Sequence, residues 1–230
     1  MSEVGWLKAW RWPINLFFEA ITLTISALLP IINPFSTAPL FVSLSAGFDD
    51  KRRNQQALLG CVYAFILLVV FLLVGSAIID FFGISVPGIR VAGGLIISIT
   101  GFRMLFPGQQ APPGPSQTAR NNPDIAFAPI AMPSLAGPGS ITVMLSAAGY
   151  IQRFHPNQWG EIYAGVVLGT AITLFLSFLV LRAAGAMVRF LGPGGIDAMT
   201  RIFGFLLICI GMQFLLSGIS DFYGLAKAAV

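Results

Sequence analysis

The sequence predicts an all-α polytopic membrane protein whose six spans form two inverted three-helix repeats, with the first and fourth helices discontinuous. Three observations carry this prediction. The 230 residues are 56% hydrophobic and only 10% charged, with a mean hydropathy of +0.84, whereas soluble domains carry about 25% charged residues. Six apolar runs approach or exceed the ~20 residues that cross a bilayer. Two ten-residue stretches inside such runs, Pro30-Ile31-Ile32-Asn33-Pro34-Phe35-Ser36-Thr37-Ala38-Pro39 and Pro129-Ile130-Ala131-Met132-Pro133-Ser134-Leu135-Ala136-Gly137-Pro138, share three prolines, each displaced by 99 positions. Proline lacks an N–H and clashes with the preceding turn, so three in ten residues break a helix. Inside a bilayer such a break is tolerated only where protein or a polar cavity satisfies the freed backbone.

Residues 1–230 read as a single membrane domain with no room for a separate soluble one. Residues 1–13 hold Trp6, Lys8, Trp10, Arg11 and Trp12, a combination suited to an interfacial anchor. A signal peptide is the rival reading; the long following run, its Glu19 and the lack of a cleavage site before Pro30 argue against it. The first repeat covers 14–106. Its first span runs from about Leu16 to Gly47 with a break at Pro34–Pro39. Asp49 or Asp50 then caps the second span, about Gln56–Phe82. A turn around Gly83–Pro87 leads to the third span, about Gly88–Phe106. Residues 107–124, rich in Pro, Gly and polar side chains, form a flexible cytoplasmic connector. The second repeat, 125–219, holds a fourth span of about Ile125–Ile151 with the second break. The fifth span is about Glu161–Met187, a turn follows at Leu191–Gly195, and the sixth is about Ile196–Ile219.

A second echo supports two halves. Gly94 and Gly101 in span three are followed by Arg103, and Gly204 and Gly211 in span six by Gln213, each offset by 110 positions. A spacing of seven puts both glycines on one helix face, where backbones can approach closely. An odd number of spans per half makes the halves opposite in orientation. The Lys and Arg residues divide five to eight between the two faces, so the richer face is expected in the cytoplasm and both termini on the outer, periplasmic side.

Matched broken helices in two halves point to a substrate site between inverted repeats; the competing reading is two packing kinks with no ligand. A restarted helix presents free N–H groups and the positive end of its dipole, a site for a carboxylate. The candidates are Asn33, Pro34, Ser36, Thr37, Ala38 and Pro39 from the first break. From the second they are Pro133, Ser134, Ala136, Gly137, Pro138, Gly139 and Ser140. The stub carbonyls near Asn33 and Met132 suit an ammonium group or cation. With no full charge among them, the lining suits a small zwitterionic solute. Glu19 is read either as an interfacial side chain or as a proton- or sodium-coupling group, and Arg103 as a snorkelling cation or a substrate clamp. Cys61 and Cys209 lie in apolar runs and His155 in a loop. No nucleophile–base pair, metal cluster or nucleotide fingerprint is present, so no enzyme activity, metal, cofactor or nucleic acid is expected; membrane lipids are the other expected partner.

These residues resemble the MarC family of integral membrane proteins over roughly Leu16–Ser220. The most recognisable pieces are Leu29-Pro30-Ile31-Ile32-Asn33-Pro34, Gly83-Ile84-Ser85-Val86-Pro87-Gly88-Ile89-Arg90-Val91-Ala92-Gly93-Gly94, Gly101-Phe102-Arg103-Met104-Leu105-Phe106-Pro107 and Met132-Pro133-Ser134-Leu135-Ala136-Gly137-Pro138-Gly139. The resemblance implies six spans, inverted repeats, broken first and fourth helices, and ion-coupled transport of small neutral amino acids of the glycine, alanine and serine class. Ser36 departs from the glycine many members carry there, which bears on how open the first re-entry is. The competing functions are an uncoupled exporter or facilitator of another small solute, and a non-transporting membrane scaffold.

Overall fold

The computed structural model describes residues 16–106, 124–154 and 158–225. The tryptophan-rich start, most of the connector and His155 lie outside the described residues. Among the described residues the chain is helical throughout. Four helices are long and apolar enough to cross a membrane singly, and two bent pairs bring the spans to six. The first span is α1 (Leu16–Ile32) followed by α2 (Pro34–Leu44), bent by 45°. Then come α3 (Asp50–Phe82) and α4 (Val86–Leu105). The fourth span is α5 (Ala126–Leu135) followed by α6 (Pro138–Phe154), bent by 63°. The chain finishes with α7 (Trp159–Arg182) and α8 (Ala184–Tyr223).

The helix ends follow local chemistry. α3 closes at Gly83, whose φ of 62° is left-handed, and α4 starts with the Ser85 hydroxyl accepting from Gly88 N–H at 3.1 Å; both are standard helix punctuation. Asp49 occupies the N-cap position of α3, but its side chain makes no capping bond. Asp50 instead pairs with Arg53 at 3.2 Å. The fifth span ends at Arg182 rather than near Met187, because the next helix begins at Ala184 and turns at Gly192, φ 63° and ψ 178°. The expected turn at Leu191–Gly195 is therefore a kink within α8.

Helix packing is governed by small residues. α3 is apolar all round, and its two faces differ by size. Ala57, Gly60, Cys61, Ala64, Leu68, Leu72 and Gly75 are buried, while Leu58, Val62, Ile66, Val70 and Leu73 are exposed in a stripe fit for lipid. That is the arrangement expected where lipid is as apolar as leucine and close packing selects partners. The four echo glycines meet. A Cβ added at Gly94 would lie 2.5 Å from Gly211 O, and one at Gly101 would lie 2.5 Å from Gly204 O. The pairing runs 94 with 211 and 101 with 204, so α4 and α8 cross antiparallel, backbone on backbone. The other seams run between first and middle spans. Gly165 and Gly169 of α7 receive α1, a Cβ at Gly165 lying 2.6 Å from Phe17 O. Gly60 and Gly75 of α3 receive the fourth span, with a Cβ at Gly60 lying 2.7 Å from Ile130 Cγ2 and one at Gly75 lying 3.1 Å from Ala148 Cβ.

Gly101→Leu is therefore expected to force α4 and α8 apart and to destabilise the protein by about 1–3 kcal/mol, the usual range for overpacking. Gly47, where an added Cβ meets nothing within 4 Å, provides the control. Thermal midpoints of purified Gly101→Leu and Gly47→Ala check this; equal midpoints would contradict it.

Candidate functional site

Each break is built from side chains that repair the backbone it disrupts. The first is a single residue. Asn33 takes a left-handed backbone (φ 41°, ψ 71°), which asparagine tolerates better than most residues, and caps α2 by accepting from Ser36 N–H at 3.3 Å. Pro34 and Pro39 both lie inside α2 rather than in an unwound stretch. The expected break at Pro34–Pro39 is thus moved to Asn33. Pro34 is accommodated because proline fits the first helical position, where its missing N–H costs nothing; Pro39, further into α2, leaves the Phe35 carbonyl without its usual helix donor but does not end the helix. Asn33 is buried, and its Nδ2 has no hydrogen-bond partner; the Ser36 hydroxyl is also unpartnered. Thr37 donates to Asn33 O at 3.4 Å, and Ala38 is fully buried.

The second break is longer. α5 is not one regular helix: extended backbone at Ala128 (φ −127°, ψ 122°) and Met132 (φ −124°, ψ 125°) interrupts it, and its turns close through bonds five residues back, as in Ile130 N–H to Ile125 O at 3.3 Å and Ala136 N–H to Ala131 O at 2.8 Å. It contains cis peptide bonds before Pro129 and Pro133. Its start is held from across the protein: buried Gln56 of α3 accepts from Ile125 N–H at 2.9 Å, and Asp124 accepts from Ala126 N–H at 3.0 Å. Ser140 seals its end, donating to Leu135 O at 3.1 Å and Gly137 O at 3.0 Å. Ala136 is buried, Ser134, Gly137 and Gly139 are half-buried, and Pro133 and Pro138 are exposed.

The two breaks meet. A Cβ on Gly139 would come within 3.0 Å of Ile31 Cγ2 and 3.1 Å of Ile97 Cγ1, so the restart of the fourth span abuts the end of α1 there, and any larger residue would push those two side chains aside. One residue on from Ile97, the Ser98 hydroxyl is buried and unpartnered. In this conformation the junction is closed by Ile31 and Ile97 rather than open.

Above the junction lies a cavity of about 490 Å³, within the range of small-ligand sites. Its walls come from the start of α1, α4 and α7 and the ends of α6 and α8, so it opens at the face where the first span begins. Its polar lining is Glu19, Thr24, Arg90, Ser146, Tyr150, Gln213 and Ser217, set among apolar side chains such as Leu23, Ala27 and Val143. Ala27 precedes Asn33 by six residues and Val143 follows Gly139 by four, so the floor lies about 6–9 Å from the breaks at 1.5 Å per residue.

Of the sequence candidates, Glu19 alone lines this cavity, and the break residues lie beneath it. Arg103 lies elsewhere, exposed near the opposite end of α4. Sequence reasoning missed Arg90, Ser146, Tyr150 and Gln213. Arg90 forms an ion pair with Asp221 in the last turn of α8, and its guanidinium carbon stands 5.5 Å from the Tyr150 ring centre. The partner lies 131 residues away, so no local spacing signals the pair.

Gln56→Ala should leave the buried Ile125 N–H without a partner and cost about 1–3 kcal/mol, read as a lower thermal midpoint. An unchanged midpoint would mean that the start of α5 is held by other contacts.

The model of the family described as MarC family integral membrane protein matches residues 18–223. The chain is 41% identical over 218 residues to the inner membrane protein MarC of Escherichia coli strain K12, covering 89% of this chain and 96% of the relative. The same figures hold for the protein of that name in Shigella flexneri. No solved structure matches.

Proposed function

Because the chain belongs to the MarC family of integral membrane proteins, we propose that its paired broken helices form the transport site of a secondary transporter for small neutral amino acids. The chain is a multi-pass protein of the inner membrane, as its relatives are named. The observation that carries the reading is the meeting of the two breaks at Gly139 and Ile31, beneath a largely apolar cavity that carries Glu19 and Arg90 and opens to one face. Isolated kinks need no such cavity.

The chemistry suits a zwitterion. The first turn of α6 leaves the Gly139 and Ser140 N–H groups without intrahelical partners, and the helix dipole adds partial positive charge there. The unpartnered Asn33 amide and the Ser36 and Ser98 hydroxyls supply neutral hydrogen bonds. Stub carbonyls at the ends of α1 and α5 favour an ammonium group. The junction is closed by Ile31 and Ile97 in this conformation, so a solute enters only when it opens, and the small residues around it favour a side chain of the glycine, alanine or serine class.

Alternating access then requires the junction to open on one face as it closes on the other. The reciprocal seams support inverted halves: the first span packs on the fifth, the fourth on the second, and the third on the sixth in antiparallel register. With the lysine- and arginine-rich face in the cytoplasm, the cavity faces the periplasm. Glu19 on the cavity wall is the group assigned here to couple uptake to a proton or sodium gradient. The tight Gly139 contact is the one feature that favours a non-transporting scaffold, and flux measurements separate the two.

Purified protein in liposomes is expected to take up labelled glycine, alanine or serine saturably under a proton or sodium gradient. Gly137→Leu, whose Cβ would stand 2.6 Å from Pro133 O, should lower the initial rate at least tenfold. Asn33→Gly keeps the left-handed backbone and removes the amide, so it should fold yet transport poorly. Saturable but gradient-independent flux would favour a facilitator; no flux of any of these solutes in either direction would sink the transport reading.

A further inference from the structure

We propose that the outer cavity is a receiving site for a small solute bearing both a carboxylate and an ammonium group, with Arg90 binding the carboxylate and Glu19 the ammonium. The assignment deepens the transport reading and rests on it, adding a first station above the breaks.

Four features point this way. Arg90 is largely inside the protein, its side chain 16% exposed, and lines the cavity wall. Guanidinium has five N–H donors in a planar fork matched to carboxylates. Among the described residues only Asp221 accepts from it, through Nη1, which leaves donors for an incoming carboxylate. Glu19 comes from a different helix, lines the same cavity, is exposed, and takes part in none of the ion pairs among the described residues. The cavity therefore carries a positive group and a negative group on separate walls.

The third feature is Ser146. Buried serine and threonine hydroxyls in this protein normally bond the carbonyl four residues back, as do Thr142 at 2.9 Å, Thr170 at 2.8 Å and Ser177 at 2.9 Å. Ser146 is 5% exposed and lines the cavity, yet its hydroxyl has no partner. Buried polar groups in folded proteins are nearly always satisfied, so this hydroxyl is a spare hydrogen-bonding group in the cavity wall, open to a ligand only when the wall shifts, because its oxygen is itself shielded in this conformation. Fourth, the remaining wall is mostly apolar, so the few polar groups are what would orient a bound solute.

The pairing also sets selectivity. A simple anion is drawn by Arg90 but repelled by Glu19, and a simple cation the reverse, so a solute carrying both charges is preferred. Asp221 holds Arg90 when the cavity is empty and competes with the solute for the same guanidinium. Removing that competitor should tighten binding, an effect a purely structural ion pair would not give.

The test is calorimetric binding of alanine, alaninamide and propionate to purified full-length protein. Wild type should bind alanine at least tenfold more tightly than either analogue. R90Q should erase the preference for alanine over alaninamide, R90K should retain part of it, and D221N should tighten alanine binding at least twofold. E19Q should erase the preference over propionate. The proposal is overturned if R90Q keeps the alaninamide discrimination, or if D221N weakens binding as much as R90Q and R90D/D221R restores it, which would make the pair a structural strut. If wild type takes up alanine in liposomes while R90Q still discriminates, the receptor assignment falls and the transport reading stands. If wild type neither binds nor transports alanine, glycine or serine, both fall.

Discussion

A peptide group inside hydrocarbon must find a hydrogen-bond partner within the protein, and most of the structure's unusual features answer that constraint. Four long helices meet it by themselves. The two interrupted spans cannot, and each recruits polar side chains to make good the loss: Asn33 for the start of α2, Gln56 and Asp124 for the start of α5, Ser140 for the end of α5. Of these, Gln56 reaches across from another span, so its repair of the second break also ties α3 to the start of α5. What the repair leaves unsatisfied, the Asn33 amide and the Ser36 and Ser98 hydroxyls, collects where the breaks converge. The same constraint that makes the interruptions costly thus gathers polarity at one depth.

Close approach of backbones is the second organising fact. Without a hydrophobic drive between helices in lipid, contact relies on shape, and glycine gives the closest fit. The α4–α8 crossing uses four glycines, with carbonyl oxygens standing where Cβ atoms would be. Gly139 serves the same steric end at the junction, where it brings one break against the other. A single residue type therefore both welds a static seam and permits the contact on which the proposed site depends.

The number of spans, the two interruptions and the glycine seam were legible in the sequence because each leaves a local signature: an apolar length, a proline cluster, a spacing of seven. The position of the first turn was not. Three prolines advertise a break, but two of them are accommodated within α2, and the backbone turns at Asn33, which is left-handed because of what packs around it. Glu19 could be singled out as an acid in an apolar run. Arg90 could not: it follows a Gly-Ile-Ser-Val-Pro-Gly turn, as ordinary interfacial cations do, and only folding brings it to Asp221 and the Tyr150 ring. Ser146 looks like any helix serine until its missing partner is seen.

The seams have a consequence for how the protein is made. The glycine notches of α3 that receive the fourth span, and the face of α1 that fits α7, are each filled by the other half of the chain. The first three spans leave the ribosome with those notches vacant and nothing of their own to plug them. Insertion can proceed helix by helix, but assembly must wait until the last spans arrive, so the early half depends on lipid, or on the insertion machinery, to keep its open grooves from binding something else.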